Sequence, residues 1–239
     1  MFFILPLLPF LAIYILAAVL PAVILLRYIY RTDTVEKEPP GLLVLLLLMG
    51  VVAALCSGIL EGLGETLLNA LVDPGSTAYT ILLAFLVVAL VEEGTKFILL
   101  KKCTWYHPAF NYRFDAIVYA VFVSLGFAAF ENIQYVLNYG LSVALPRALL
   151  AVPGHMSFAV FMGLFYGRAK LCEAYSYRRG MKRNLLTGYL VAVFLHGFYD
   201  TCAMIGSAVS TVVFLVFVGI MYFWVFRLLK RESSNDVPV

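Results

Sequence analysis

The sequence predicts an all-α membrane protein, a polytopic bundle of about seven transmembrane helices. Of its 239 residues, 63% are hydrophobic and only 13% are charged, and the mean hydropathy is +0.96. A soluble domain carries about 25% charged residues, so this chain cannot cover a globule with polar side chains. Lipid is therefore its expected solvent, in a cell membrane. With a net charge of +3, we expect no nucleic-acid partner.

Seven apolar stretches are long enough to cross the hydrocarbon core, which takes about 20 helical residues. They run approximately over 3–26, 41–60, 79–100, 114–138, 147–169, 184–204 and 207–229. Charges and turn formers separate most of them, and only Gly206 and Ser207 separate the last two. The first stretch has no basic leader and lacks a convincing small-residue cleavage motif, so we predict a retained helix. Because such helices must pack on one another, residues 1–239 are predicted to form one domain, with a cytoplasmic tail over 230–239.

The basic residues predict the orientation of the bundle. Fifteen of the 17 lysines and arginines fall on alternate loops, from Arg27 to Arg231, whereas the opposite loops hold only Arg147 and one helix holds Lys96. Because cytoplasmic loops carry an excess of such residues, we predict an outer amino terminus and a cytoplasmic carboxyl terminus.

Four helices carry ionisable groups inside their apolar stretches. The third has VEEGTK, the fourth FEN followed by Gln134 and Tyr135, the fifth PGH and the sixth HGFYD, at positions 91–96, 130–132, 153–155 and 196–200. A charged residue at bilayer depth costs at least about 2.5–3.5 kcal/mol, so these groups are candidates for function. Counted from the loops, they can meet at one depth if the helices tilt.

Helical spacing pairs several of these side chains. Glu92 and Lys96 are four residues apart, the better order for an ion pair. His196 and Asp200 share that spacing, so the carboxylate can fix the imidazole. Glu131 and Tyr135 repeat the spacing, whereas Glu93 lies about 100° round the helix from Glu92.

Structural interpretations compete with functional ones at single positions. Glu92 and Lys96 could form an ion pair that only fixes helix packing, and a lone His155 could be an interhelical donor. Two acidic residues at the outer end of the second helix are expected to reach the membrane interface. Two residues at the cytoplasmic boundary are expected to need no special role. The acids at the outer end of the second helix are Glu61 and Glu65, and the residues at the cytoplasmic boundary are His107 and Asp115.

The residue types are those of a hydrolytic site. A buried carboxylate can take a proton from water, which then attacks a peptide carbonyl, while a histidine held by Asp200 stabilises the oxyanion or protonates the leaving amine. Glutamate and histidine are also zinc ligand types. The sequence leaves open a metal-free mechanism or Zn²⁺ bound by Glu93, Glu131, His155 and His196. No HExxH motif is present.

The ordered motifs resemble the PrsW family of intramembrane proteases. EEGTK fits EExxK, FENIQY fits FExxxY and HGFYD fits HxxxD, with PGH between the last two, over a motif-bearing core of residues 79–204. The wider group includes the CAAX prenyl endopeptidases. The resemblance implies a protease that makes the first, extracytoplasmic cut in a single-pass anti-sigma factor.

The resemblance also implies residue roles. Glu92 is preferred as general base over Glu93, because the wider group usually uses the first acid. His155, His196, Asp200 and Glu131 complete the candidate catalytic set, supported by Lys96, Asn132 and Tyr135. In the CAAX proteases the second motif is FxxxH, and here the residue four beyond Phe127 is Glu131.

Two other classes of function fit parts of the pattern. A proton-coupled transporter or channel would also place Glu, His and Lys inside the membrane as a relay, although the chain shows no clear inverted repeat. A haem-binding electron carrier would use His155 and His196 as axial ligands. A purified protein without a Soret absorbance band excludes that alternative.

Overall fold

The computed structural model describes residues 7–239, which fold into seven helices and no β-strand. The helices are α1 Leu7–Thr32, α2 Pro40–Leu71, α3 77–104, α4 Asp115–Tyr139, α5 Leu141–Ala174, α6 Arg178–Ile205 and α7 Ala208–Ser234. The predicted all-α class is confirmed, and each predicted stretch falls on one helix. Residues 3–6 of the first stretch lie outside the described residues.

Local sequence accounts for where several helices begin. Pro40 occupies the first turn of α2, where a missing N–H costs nothing. The hydroxyl of Ser76 caps α3 by accepting a hydrogen bond from the backbone N–H of Tyr79 at 3.1 Å. Gly206, at φ 64°, ends α6 in the left-handed region, and Ser207 then caps α7. This two-residue break confirms the predicted hairpin.

Helix α3 differs from the other six helices. All but α3 are long and apolar enough to cross a membrane. Helix α3 consists of α-helical Thr77–Leu82, a π-helical segment Leu83–Ala89 and α-helical Leu90–Thr104. A second π-helical segment, Arg147–Ala151, lies near the start of α5. Such segments are frequent at functional sites, and each one lies next to motif residues here.

The loops that the sequence predicts to be cytoplasmic meet at one end of the bundle, which we call the basic end. Lys170 Nζ donates to the carbonyl of Trp105 at 2.8 Å, which joins the ends of α5 and α3. Asn111 Nδ2 donates to Glu36 Oε2 at 3.0 Å, and the backbone N–H of Val239 donates to the carbonyl of Asn111 at 2.9 Å. The carboxyl-terminal tail therefore packs against the loop before α4. The orientation of this end toward the cytoplasm stays a prediction.

Helix α4 forms the centre of the bundle and is buried over residues 115–128. Close approach to its neighbours requires glycine. A Cβ atom added at Gly126 would lie 2.3 Å from the carbonyl oxygen of Leu47 on α2. One added at Gly163 on α5 would lie 2.6 Å from Cα of Ile117. Helices α2, α4 and α5 are thus in backbone contact, which fixes the depth at which their motifs meet.

Asp115 has a structural role at the basic end, contrary to the prediction. It is buried, and its Oδ2 atom accepts hydrogen bonds from the backbone N–H groups of Asn111 at 3.0 Å and Tyr112 at 2.7 Å. Nearby, the buried carboxylate of Glu38 accepts from the hydroxyl of Tyr119. Burial raises the pKa of Glu38 to about 7. The interhelical packing that buries these acids cannot be inferred from their position at a span boundary.

Candidate active site

The amino group of Lys96 on α3 lies at the centre of a buried polar cluster. Its Nζ atom is 3.0 Å from Glu92 Oε2 and 2.8 Å from Glu93 Oε1. The same atom is 3.2 Å from Nδ1 of His155 on α5. Burial of an ammonium group is costly unless carboxylates neutralise it, and here two do. The predicted pair of Glu92 with Lys96 is confirmed, and Glu93 joins it.

The contacts of His155 define its tautomer. Because an ammonium group only donates hydrogen bonds, Nδ1 of His155 must accept from Lys96. The proton of the neutral imidazole then lies on Nε2, which is 3.1 Å from Glu131 Oε2 on α4. The Glu131 carboxylate therefore accepts a hydrogen bond from Nε2–H of His155. His155 thus links the third and fourth helices through its two nitrogen atoms.

His196 on α6 lies between two carboxylates. Its Nδ1 atom is 3.0 Å from Glu93 Oε1, and its Nε2 atom is 3.2 Å from Asp200 Oδ2. The ring stacks on Phe158, with centroids 4.7 Å apart. The predicted contact between His196 and Asp200 is confirmed. An imidazolium in this place would donate to both acids, so the ring orientation is fixed from two sides.

Arg147 anchors the outer side of the cluster. Its Nη2 atom is 2.9 Å from Glu131 Oε2, and its Nε atom donates to Asn132 Oδ1 at 2.6 Å. The guanidinium carbon lies 3.8 Å from the centroid of the Tyr135 ring. Asn132 in turn donates to the carbonyl of Ala18 on α1 at 2.7 Å. Arg147 therefore holds Glu131, the acceptor that fixes His155.

A cavity of about 590 Å³ opens beside the cluster. Its polar wall includes Glu92, Glu131, Arg147, His155, His196 and Asp200, and its apolar wall includes Phe158, Tyr199 and Phe214. Ligand pockets of this size, mostly apolar with a few convergent polar groups, are typical of binding sites. Glu93 and Lys96 lie behind this wall, at 0% and 2% exposure. The structure thus separates a cavity-facing acid, Glu92, from an enclosed one.

The structure brings all of the sequence-predicted site residues into one connected group. Glu92, Glu93, His155 and His196 converge through Lys96, as the motif depths suggested. Asn132 and Tyr135 contact the group through Arg147. Arg147 itself escaped the sequence analysis, where it counted only toward topology. Its position as the single basic residue on the loops predicted to be extracytoplasmic was the available signal.

The prediction that the second helix ends near Glu61 is wrong, whereas the reach of the Glu61 side chain to the membrane interface stays a prediction. Glu61 was expected to lie at the end of the second helix, but α2 continues to Leu71. The Glu61 side chain lines the cavity. Its Oε1 atom is buried and has no hydrogen-bond partner. The hydropathy pattern predicted that the membrane span ends at Glu61, because a charged residue at the edge of an apolar stretch usually marks the membrane boundary. The sequence does not show which residues of other helices surround it.

The arrangement of the donors does not fit a bound zinc ion. Ligand atoms of Glu92, Glu93 and His155 lie within 4.8 Å of one another, but the ammonium group of Lys96 contacts all three residues. Both nitrogen atoms of His155 and of His196 already have partners within the protein. Among the described atoms of the four predicted zinc ligands, Glu93 Oε2 is the one that is buried without a hydrogen-bond partner. A structural or catalytic zinc site takes at least three protein ligands, so the predicted set would have to rearrange.

The fold and this cluster define a class, that of multi-pass membrane proteins with acids and imidazoles gathered at a cavity inside the bundle. Comparison with known sequences specifies it further. A family model described as the PrsW family of intramembrane metalloproteases matches residues 38–227. The chain belongs to this family, and it is a membrane protease.

Relatives named Protease PrsW cover most of the chain. The one from Geobacillus kaustophilus is 38% identical over 184 residues, 77% of this chain and 76% of the relative. The one from Bacillus subtilis is 30% identical over 221 residues, 92% and 95% of the two chains. The one from Clostridioides difficile is 31% identical over 222 residues, 91% and 90%. No solved structure matches the chain.

Proposed function

We propose that the protein hydrolyses a peptide bond of a membrane-protein substrate with Glu92 as the base that activates water. The observation that supports this role is the position of Glu92 on the cavity wall, whereas Glu93 is enclosed. Glu93 bonds Lys96 and His196, which suits a positioning role. The membership in a protease family favours this function over the transporter alternative.

The reaction needs no group beyond those on the cavity wall. Glu92 takes a proton from water as the water oxygen bonds to the carbonyl carbon of the substrate. The oxyanion accepts a shared hydrogen bond from His196 Nε2–H, whose ring stays held by Glu93 and Asp200. The C–N bond then breaks, and the proton on Glu92 passes to the leaving amine.

The resemblance in sequence indicates the kind of substrate. We propose a single-pass membrane protein, with an anti-sigma factor as the expected target and the extracytoplasmic side as the place of the cut. Arg147 lies near the start of α5 and Lys170 lies near its other end, so the Arg147 side of the cluster faces away from the basic end. If the basic end is cytoplasmic, the cavity opens toward the outer half of the membrane.

The test uses cleavage of a co-expressed single-pass reporter substrate in membranes. Glu92→Gln should abolish cleavage while leaving membrane insertion intact, and Glu93→Gln and His196→Ala should reduce it below detection. Lys182→Ala, a change in an exposed residue of the basic end, is the matched control. Full cleavage by all three site variants would refute the proposal.

A second measurement addresses the metal. Because the donors are engaged with one another and with Lys96, purified enzyme should retain cleavage after incubation with a zinc chelator. Elemental analysis of protein purified without chelator should show far less than one zinc per chain. Stoichiometric zinc, with activity lost on chelation and restored by the metal, would overturn the metal-free mechanism.

A further inference from the structure

The polar wall of the cavity contains one carboxylate without a partner, that of Glu61. Among the described charged residues of this wall, Glu92 pairs with Lys96, Glu131 with Arg147, and Asp200 with His196. Glu61 makes none of these pairs, and its Oε1 atom is buried without a hydrogen-bond donor. A buried acceptor left unpaired is unfavourable, so the site is built to receive a donor from outside the chain.

The charge around Glu61 favours a cationic donor. From Pro40 to Thr95 the chain contains no lysine, arginine or histidine, but it has five acids, Glu61, Glu65, Asp73, Glu92 and Glu93. Glu65 lies one turn beyond Glu61 on α2 and is exposed. Arg147, which lines the same cavity, is already engaged by Glu131 and Asn132. Lys96, the first basic residue after Pro40 in the sequence, is already neutralised by Glu92 and Glu93, so a positive group that reaches Glu61 meets no cation without an acidic partner among residues 40–96.

We propose that Glu61 binds a lysine or arginine side chain of the substrate close to the scissile bond, which makes it a specificity-determining residue. The inference deepens the proposed function, since it assigns a substrate class to the same cavity. Glu61 and Glu92 line that cavity from α2 and α3, so a substrate backbone that lies over Glu92 can direct a long cationic side chain toward Glu61. The flexible stem of such a side chain suits the apolar parts of the wall.

The first experiment measures binding without cleavage. The probe is a synthetic single-span peptide with an apolar leucine–alanine stretch. One lysine is moved position by position through the half of this stretch that is predicted to lie in the outer half of the membrane. The affinity of this peptide for the Glu92→Gln protein in nanodiscs is compared with that of peptides carrying norleucine or glutamate instead. At one position lysine should bind at least about tenfold more tightly than norleucine, and glutamate should bind most weakly.

Substitution of Glu61 supplies the matched comparison. In the same background, Glu61→Gln should reduce the ratio of lysine to norleucine affinity to about one, and Glu61→Lys should make glutamate the preferred residue. Glu65→Gln removes an equal charge one turn away and should leave the ratio unchanged. A lysine preference that survives in Glu61→Gln, or no preference at any position, would overturn the inference.

The second experiment repeats the comparison by cleavage with the otherwise unaltered enzyme. Its kcat/KM ratio for the lysine and norleucine peptides should follow the binding ratio and should fall in Glu61→Gln. Failure of the hydrolytic proposal would appear separately, as cleavage that persists in Glu92→Gln. If the Glu92→Gln protein still cleaves but keeps its preference for the lysine peptide, Glu61 remains the recognition residue and only the role of Glu92 is refuted.

Discussion

Replacement of Lys96 by methionine tests the centre of the site. Methionine keeps most of the length and apolar volume of the lysine side chain but removes its charge and its N–H donors. Three acceptors then lose the hydrogen bond from Lys96: Glu92 Oε2 at 3.0 Å, Glu93 Oε1 at 2.8 Å and His155 Nδ1 at 3.2 Å. Removal of one partner from a buried ion pair typically costs about 3–5 kcal/mol. We therefore expect Lys96→Met to lose that much free energy of unfolding.

A double-mutant cycle separates this effect from lost packing. Glu93→Gln combined with Lys96→Met removes a buried carboxylate that the single change deprives of its lysine, so the double variant should be less destabilised than the sum of the two single variants. Residues in one network of this kind couple by about 0.5–3 kcal/mol. Lys102→Met, an exposed change on the same helix, should stay within about 0.5 kcal/mol of the wild type.

The assay is denaturant-induced loss of helical circular dichroism for protein purified in detergent. Additive effects in the cycle would show that Lys96 and Glu93 do not depend on each other. A Lys96→Met protein as stable as the Lys102→Met control would refute the view that this ammonium group neutralises the two acids.

Three further predictions follow from other contacts. Arg147→Met should lower kcat by about tenfold to a hundredfold, because Glu131 loses the cation that holds it. Arg147→Lys should restore part of that loss, since lysine keeps the charge but cannot make the planar contact with Tyr135. Kinetics on a reporter peptide check both variants. Gly126→Ala should destabilise the protein by about 1–3 kcal/mol or more, since its Cβ would lie 2.3 Å from a backbone oxygen. Gly62→Ala, whose Cβ would have nothing within 4 Å, should not destabilise the protein in this way, and thermal unfolding compares the two variants. Burial raises the pKa of Glu38 to about 7 from 4.5, so the folded state holds an extra proton between these values, and the free energy of unfolding should fall as pH rises through this window. Glu38→Gln should flatten that fall, and an unchanged pH profile of the thermal midpoint would contradict it.

The sequence predicted those features that depend on local spacing. Apolar length set the number of helices, and four-residue spacing paired Glu92 with Lys96 and His196 with Asp200. These contacts form within a single helix, so they need no knowledge of how the helices pack. The break between the last two helices at Gly206 and Ser207 could be predicted from the sequence for the same reason.

Contacts between helices were beyond the reach of the sequence alone. Arg147 lies in the π-helical segment near the start of α5, and its contact with Glu131 on α4 depends on how these two helices pack. Glu61 lines the cavity from within α2, which extends well past the predicted apolar stretch. In a membrane helix that is apolar on every side, periodicity does not show which face packs inward, so neither residue could be placed.

The glycine contacts of α4 have a mechanical consequence for substrate access. Where the backbones of α2, α4 and α5 touch, no side chain lies between them that could rearrange to open a gap. Helix α7 instead meets α6 through aromatic rings, such as Phe198 against Phe217 at 4.8 Å between centroids. Rings can slide or rotate without breaking the main chain. An incoming polypeptide would thus gain room by displacing α7, whose residues form part of the cavity rim.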